Sequence, residues 1–266
     1  MVQAASKSNE IGEKIAHQLG VGEPFDVFTE TRLVREIERL PDFEDRYHCL
    51  GRLYGVQRSV DELKNYFEKT LALTNDPTVY LNYYVALIHN AQHSAAYDVL
   101  LSAAKQHWDK RILEESLCRS LFCLNLDDYL FSLEKFSKIA PEPDDYSYRV
   151  LQTMTEANTV QAFLDSGKVN QEQLESIGKL AWGLVEKHNF SNVDSIIHHG
   201  VERQYLSMDF RVFDSKATPD DVFNLNIELI DKLVELELDE ANIVVQFIRS
   251  KPVLAPDEVE LAMEGE

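Results

Sequence analysis

Apolar and small residues recur along the first half of the chain with a spacing that nearly repeats every 34 positions. Tyr47, Leu50, Gly51, Tyr54, Leu63, Phe67 and Thr70 form one set, and adding 34 to each gives Leu81, Tyr84, Val85, Ile88, Tyr97, Leu101 and Ala104. Within each set many neighbours fall three or four apart, the period of one helix face. The pattern predicts helix pairs over Phe43 to Val56 with Ser59 to Leu73, then Thr78 to Asn90 with Ser94 to Trp108. Ser59 reads as an N-cap with Glu62 completing a capping box, and Asn75-Asp76-Pro77 is a strong turn. A third pair, about 110 to 125 and 127 to 139, slips by one residue: Leu117, Cys118, Leu121 and Leu130 take the places of Tyr84, Val85, Ile88 and Tyr97. Such a repeat means stacked helical hairpins, each too small to bury its own face, so neighbours share a core. Gly51, inside a continuous helical pattern, predicts a close contact between the two helices of its hairpin.

These positions resemble the tetratricopeptide repeat, in which a large residue, a Leu and Gly, and a Tyr mark the first helix, while two small residues around an aromatic mark the second. Tyr47, Leu50, Gly51, Tyr54 and Phe67 match, with Leu63 and Thr70 replacing the small residues; the second repeat keeps Tyr84, Leu101 and Ala104 but has Val85 in place of Gly. The resemblance covers about 43 to 143. In that family the first helix of each pair lines a concave groove. The resemblance therefore implies a partner-binding groove with Asn82, Asn90 and a tyrosine, Tyr80 or Tyr83, facing it, and Arg46, Arg52 and Arg119 as polar contacts.

Upstream, Ile11, Ile15 and Leu19 predict a helix over Lys7 to Leu19, and Thr29 an N-cap for a helix through Leu40. Downstream, Tyr146 to Asp165 and Gln171 to His188 read as helices, and Ser191 to Gly200 as a shorter one. The period then changes. From Gln204 to Phe213, Leu206, Met208, Phe210 and Val212 alternate with polar residues, which predicts a half-buried strand. Thr218-Pro219-Asp220-Asp221 starts a helix whose stripe is Val222, Phe223, Ile227, Ile230, Leu233 and Val234, and Ile243, Val245 and Phe247 begin a second strand. The expected fold is mainly α: a hairpin repeat array over 1–200, a small β-α-β unit over 201–254 and an acidic, mobile tail over 255–266. Two strands are too few for a stable sheet. A third comes from Phe25 to Phe28, from a partner's peptide, or from a homodimer pairing 204–213 and 243–248.

The net charge of -20, from 46 acidic and 26 basic residues, argues against nucleic acid as a partner. Half of the excess lies in residues 214 to 266, with 14 acidic against 4 basic. Three cysteines, Cys49, Cys118 and Cys123, are too few for a disulfide framework, and no segment reaches 18 consecutive apolar residues. Without a signal-like N-terminus or a membrane span, the expectation is a cytoplasmic protein. His89 and His93 have metal-ligand spacing, but Asn90-Ala91-Gln92 between them reads as a hairpin turn, so both are expected to be solvated. His198 and His199 adjoin at an expected helix end. No nucleophile elbow, phosphate loop or dinucleotide fingerprint is present, so neither catalysis nor a cofactor or metal is implied. The expected function is a non-enzymatic adaptor or scaffold that binds a protein or peptide, with a self-associating structural role or an enzyme between array and C-terminal unit as alternatives.

Overall fold

The computed structural model describes residues 2–199, 205–214 and 216–250, with side chains from Lys7 onward. Among them, α1 (Val2–Val21) and α2 (Val27–Ile37) precede three hairpins. These are α3 (Phe43–Val56) with α4 (Val60–Leu71), α5 (Pro77–His89) with α6 (His93–Gln106), and α7 (Lys110–Phe122) with α8 (Leu126–Ile139). Next come α9 (Tyr148–Asp165), α10 (Gln171–Lys187), β1 (Val193–His199), β2 (Leu206–Val212), α11 (Pro219–Glu235) and β3 (Ile243–Arg249). Each hairpin packs on itself, and successive ones meet through α3 on α5, α4 on α5 and α6 on α7, with α9 packed on α7. The result is a helical repeat array closed by a small sheet. One core runs from Leu63 to Phe247, and a smaller one, with Ile11, Ile15, Leu33, Ile37 and Leu53, lies under α1 to α3. Gly200, the strand start expected at Gln204, the Pro252 expected to end the second strand and the acidic tail lie outside the described residues.

The hairpin turns recur every 33 residues. Arg58, Ala91 and Leu124 adopt φ of 59°, 54° and 55°. After each, the next N–H reaches back five residues: Ser59 to the Tyr54 carbonyl, Gln92 to Leu87, Asn125 to Ser120. This closes carbonyls that a helix end leaves open, which offsets the roughly 1 kcal/mol that a left-handed non-glycine residue costs. The second helices share this period, since Leu63, Ala96 and Tyr129, and likewise Thr70, Ala103 and Phe136, are buried. Tyr97 and Leu101, the 34-spaced positions, are only half-buried, and Leu130 is exposed. The one-residue slip expected at the third hairpin already occurs in the second, because α5 has 13 residues against 14 in α3. Two expected caps differ as well. Asp26 rather than Thr29 caps α2, accepting from the Phe28 and Thr29 N–H groups, and the Ser59 side chain makes no cap bond.

A Cβ placed on Gly51 would lie 2.8 Å from the Phe67 ring, which is fully buried between α3 and α4. We expect Gly51→Leu to cost about 1–3 kcal/mol by overpacking. A thermal melt checks this, and an unchanged melting temperature would contradict the close packing of this hairpin.

The sheet order is β1-β2-β3, with β1 antiparallel and β3 parallel to β2. Ser191 to Gly200 was expected to be a helix, yet Val193–His199 is the third strand, paired from Val193↔Val212 to His199↔Leu206. Phe25 to Phe28 instead leads into α2. The chain completes its own sheet, so the reason for borrowing a strand from a second molecule falls away. Side chains also meet part of each edge. Asn226 of α11 donates to the Phe247 carbonyl and accepts its N–H, both at 2.8 Å, as a neighbouring strand would. At β1, Ser195 N–H donates to the Asp194 carboxylate at 2.8 Å, and Ile197 N–H to Glu156. Burial of Glu156 pushes its carboxyl up to about 6, although the hydrogen bond from Gln152 opposes that shift.

The α11 stripe is a further correction. Thr218 and Asp221 form the expected helix start as a capping box. The helix then buries Val222, Leu225 and Leu229, while Phe223, Ile227, Ile230 and Val234 are 63%, 45%, 55% and 55% exposed. This helix is apolar on two sides, and the periodicity alone picked residues that mostly face outward.

Candidate partner-binding site

The seven residues expected to line a groove are largely spent on joints within the chain. Arg52 of α3 donates to the Gly12 carbonyl at 2.9 Å and ties α1 to the first hairpin. Arg46 donates to the Leu40 carbonyl, and its guanidinium lies 5.0 Å over the Phe43 ring. Asn82 hydrogen-bonds His48 Nε2 at 3.0 Å, joining positions 34 apart in successive hairpins. Asn90 donates to the Gly55 and Ala86 carbonyls, both at 2.8 Å. Tyr83 is buried with its ring stacked 4.8 Å from Phe67, and desolvation pushes its phenol up to about 12. Tyr80 is buried beside His107, with its hydroxyl 3.4 Å from Gln106 Oε1.

Arg119, expected at the groove, is the centre of a buried polar knot that sequence reading missed. Its Nη2 donates to His93 Nδ1 at 2.6 Å, and its guanidinium lies 4.2 Å over the Trp182 ring. Because arginine only donates, Nδ1 must accept, so the imidazole carries its proton on Nε2 and donates it to the Phe190 carbonyl at 2.8 Å. Trp182 Nε1 donates to the Phe122 carbonyl at 2.8 Å, and its ring meets Phe210 of β2 edge-on at 5.4 Å. His93, expected to be solvated, is only 2% exposed. Burial and the nearby Arg119 push it down to about 4. The signal that could have revealed it is weak: one histidine and one arginine on otherwise apolar faces, with partners up to 97 residues away.

The knot holds the α10–β1 connector against α6, and a cleft of about 1180 Å³ opens beside it. Its wall is mixed: Leu19 and Val21 from the end of α1, Val85 and Ile88 from α5, Phe190 from the connector and Phe213 after β2 alternate with Asn189, Ser191 and Asn192. Arg58 and Lys216 bring positive charge to the rim, and Glu23 and Asp214 bring negative charge. Asn90 is the one expected groove residue on this wall. His89 also lies there, held below the usual histidine range by desolvation and by Arg58. His198 and His199 fall on β1 rather than at a helix end, where adjacent side chains point to opposite faces.

Among the described residues no three His, Cys, Asp or Glu side chains are placed to share a metal ion. Burial pushes the Cys118 and Cys123 thiols up to about 11, far from the thiolate a nucleophile needs at neutral pH. No helix among the described residues is long and apolar enough to cross a membrane. The molecule is thus a mainly α-helical repeat array whose two ends, closed by a three-stranded sheet, face each other across a cleft. Comparison with protein-family models, with curated proteins and with solved structures found no match.

Proposed function

We propose that this protein is a non-enzymatic adaptor, tetratricopeptide-like in its use of stacked hairpins, that holds an extended peptide segment of a partner protein in the cleft between α1, α5 and the α10–β1 connector. The observation that carries this reading is the cleft itself. At about 1180 Å³ it exceeds the roughly 300–1,000 Å³ of pockets for single small ligands. Its wall mixes apolar side chains with amides and charges of both signs, which suits a peptide, whose backbone and side chains offer both kinds of contact. The thiols held well above neutral pH support a binding role over nucleophilic catalysis.

A photo-crosslinking amino acid placed at Val85, 46% exposed on the cleft wall, tests the proposal. The expected result is a discrete cross-linked partner, lost when Ile88→Glu is added. A yield at Val85 no higher than from the same probe at Leu130, an exposed position on α8, overturns it.

A further inference from the structure

Among the described residues, the outward stripe of α11 is a second surface that neither the core nor the cleft uses. At about 100° per residue, Phe223, Ile227, Ile230 and Val234 fall within about 60° of arc and run for about 16 Å along the helix. Asp221, the α11 residue on the cleft wall, lies about 150° round from the stripe centre. We propose that this stripe docks one amphipathic helix of a partner protein, carrying an apolar face of matching spacing and a basic flank.

Three observations select that occupant. The flank of the stripe away from β3 carries Asp220, Asp231 and Glu235, the last ion-paired with Lys232, and the whole chain has a net charge of -20, so a cationic flank is complementary and steers the encounter. A second copy of this chain would set acidic flank against acidic flank. Anchors at i, i+4, i+7 and i+11 are instead what a single helix matches. An extended strand is disfavoured because Asn226 already fills the hydrogen-bonding position of Phe247 at the adjacent β3 edge.

The test uses the full chain and two fluorescein-labelled 18-residue helical peptides with the same leucine stripe, one flanked by lysine and one by glutamate. Fluorescence polarisation is read at 150 mM salt, where loose charge attraction is screened. The lysine peptide is expected to bind the wild type. Ile227→Asp with Ile230→Asp, both at exposed positions, should weaken it at least tenfold with an unchanged circular dichroism spectrum. Asp231→Lys with Glu235→Lys should shift preference to the glutamate peptide. Affinity that changes less than twofold in the Asp pair overturns the proposal. So does light scattering that finds a wild-type dimer split by the same pair, since the occupant is then a second copy. Val85→Arg should leave peptide binding intact, so failure of the cleft reading and failure of this one are separable.

Discussion

Lowering the pH from 7 to 5 will cost the fold about 2 kcal/mol through His93 alone, and His93→Gln will remove most of that slope. His93 titrates at about 4 when folded and near 6.5 when unfolded. Between those values the unfolded chain takes up a proton that the native state refuses. The stability that the neutral imidazole contributes is therefore fully present above pH 6.5 and lost as pH falls toward 4, at about 1.4 kcal/mol per unit. His48, also pushed down to about 4 by burial, acts in the same window. Glu156 acts against them, because a carboxyl raised to about 6 is better tolerated when protonated, so its contribution grows as pH falls from 6 to 4.5. Glutamine at position 93 can accept from Arg119 and donate to the Phe190 carbonyl without a titrating group. Urea unfolding of both proteins at pH 7 and pH 5 measures the difference. Equal slopes in wild type and variant would remove His93 from the account.

Gly178→Ala will lower the melting temperature by about 6–12 °C, corresponding to a loss of about 3 kcal/mol. The methyl group would sit 2.2 Å from the Cys123 carbonyl oxygen and 2.9 Å from its carbon. These are backbone atoms at the end of α7 and cannot swing aside as a flexible side chain does. Alanine gains at most about 1 kcal/mol from helix propensity, so the clash prevails. Relief requires α10 to move off α7, which breaks the Trp182 bond to Phe122 one turn away. Gly183, with open space around its Cβ position, is the control: Gly183→Ala should leave the melt unchanged or raise it slightly. A Gly178→Ala melt within 2 °C of wild type would contradict this packing.

The hairpins were legible because each helix keeps one apolar face in period and ends at a recognisable turn. Phe43 to Val56 appears with the bounds its pattern implied. β1 was not legible because its alternation is scrambled. Ser195 lies on the core face at 1% exposure, while Ile196 points the other way and is half-buried, so polar and apolar residues trade places in mid-strand. In α11 two apolar faces compete, and only the tertiary fold decides between Leu225 with Leu229 and Ile227 with Ile230. The site was the least legible part. Asn82, Asn90 and Arg119 stand where polar contacts were expected, but their hydrogen-bonding partners lie within the chain, one or more hairpins away. Side-chain type says that a polar group needs a partner, and it says nothing about which molecule supplies it.

The His93 bond to the Phe190 carbonyl joins α6 to the entrance of the sheet and passes over α7, α8, α9 and α10. An open array can lose or gain a hairpin at the cost of one interface, and it can fray one unit at a time. Here the clasp makes the intervening helices a closed loop of fixed length. Removing or duplicating one hairpin between α6 and α10 would carry His93 out of reach of the Phe190 carbonyl and leave its Nε2 proton without that acceptor. The number of hairpins is thereby counted by the fold itself, and the segment from α6 to β1 is expected to melt as one unit.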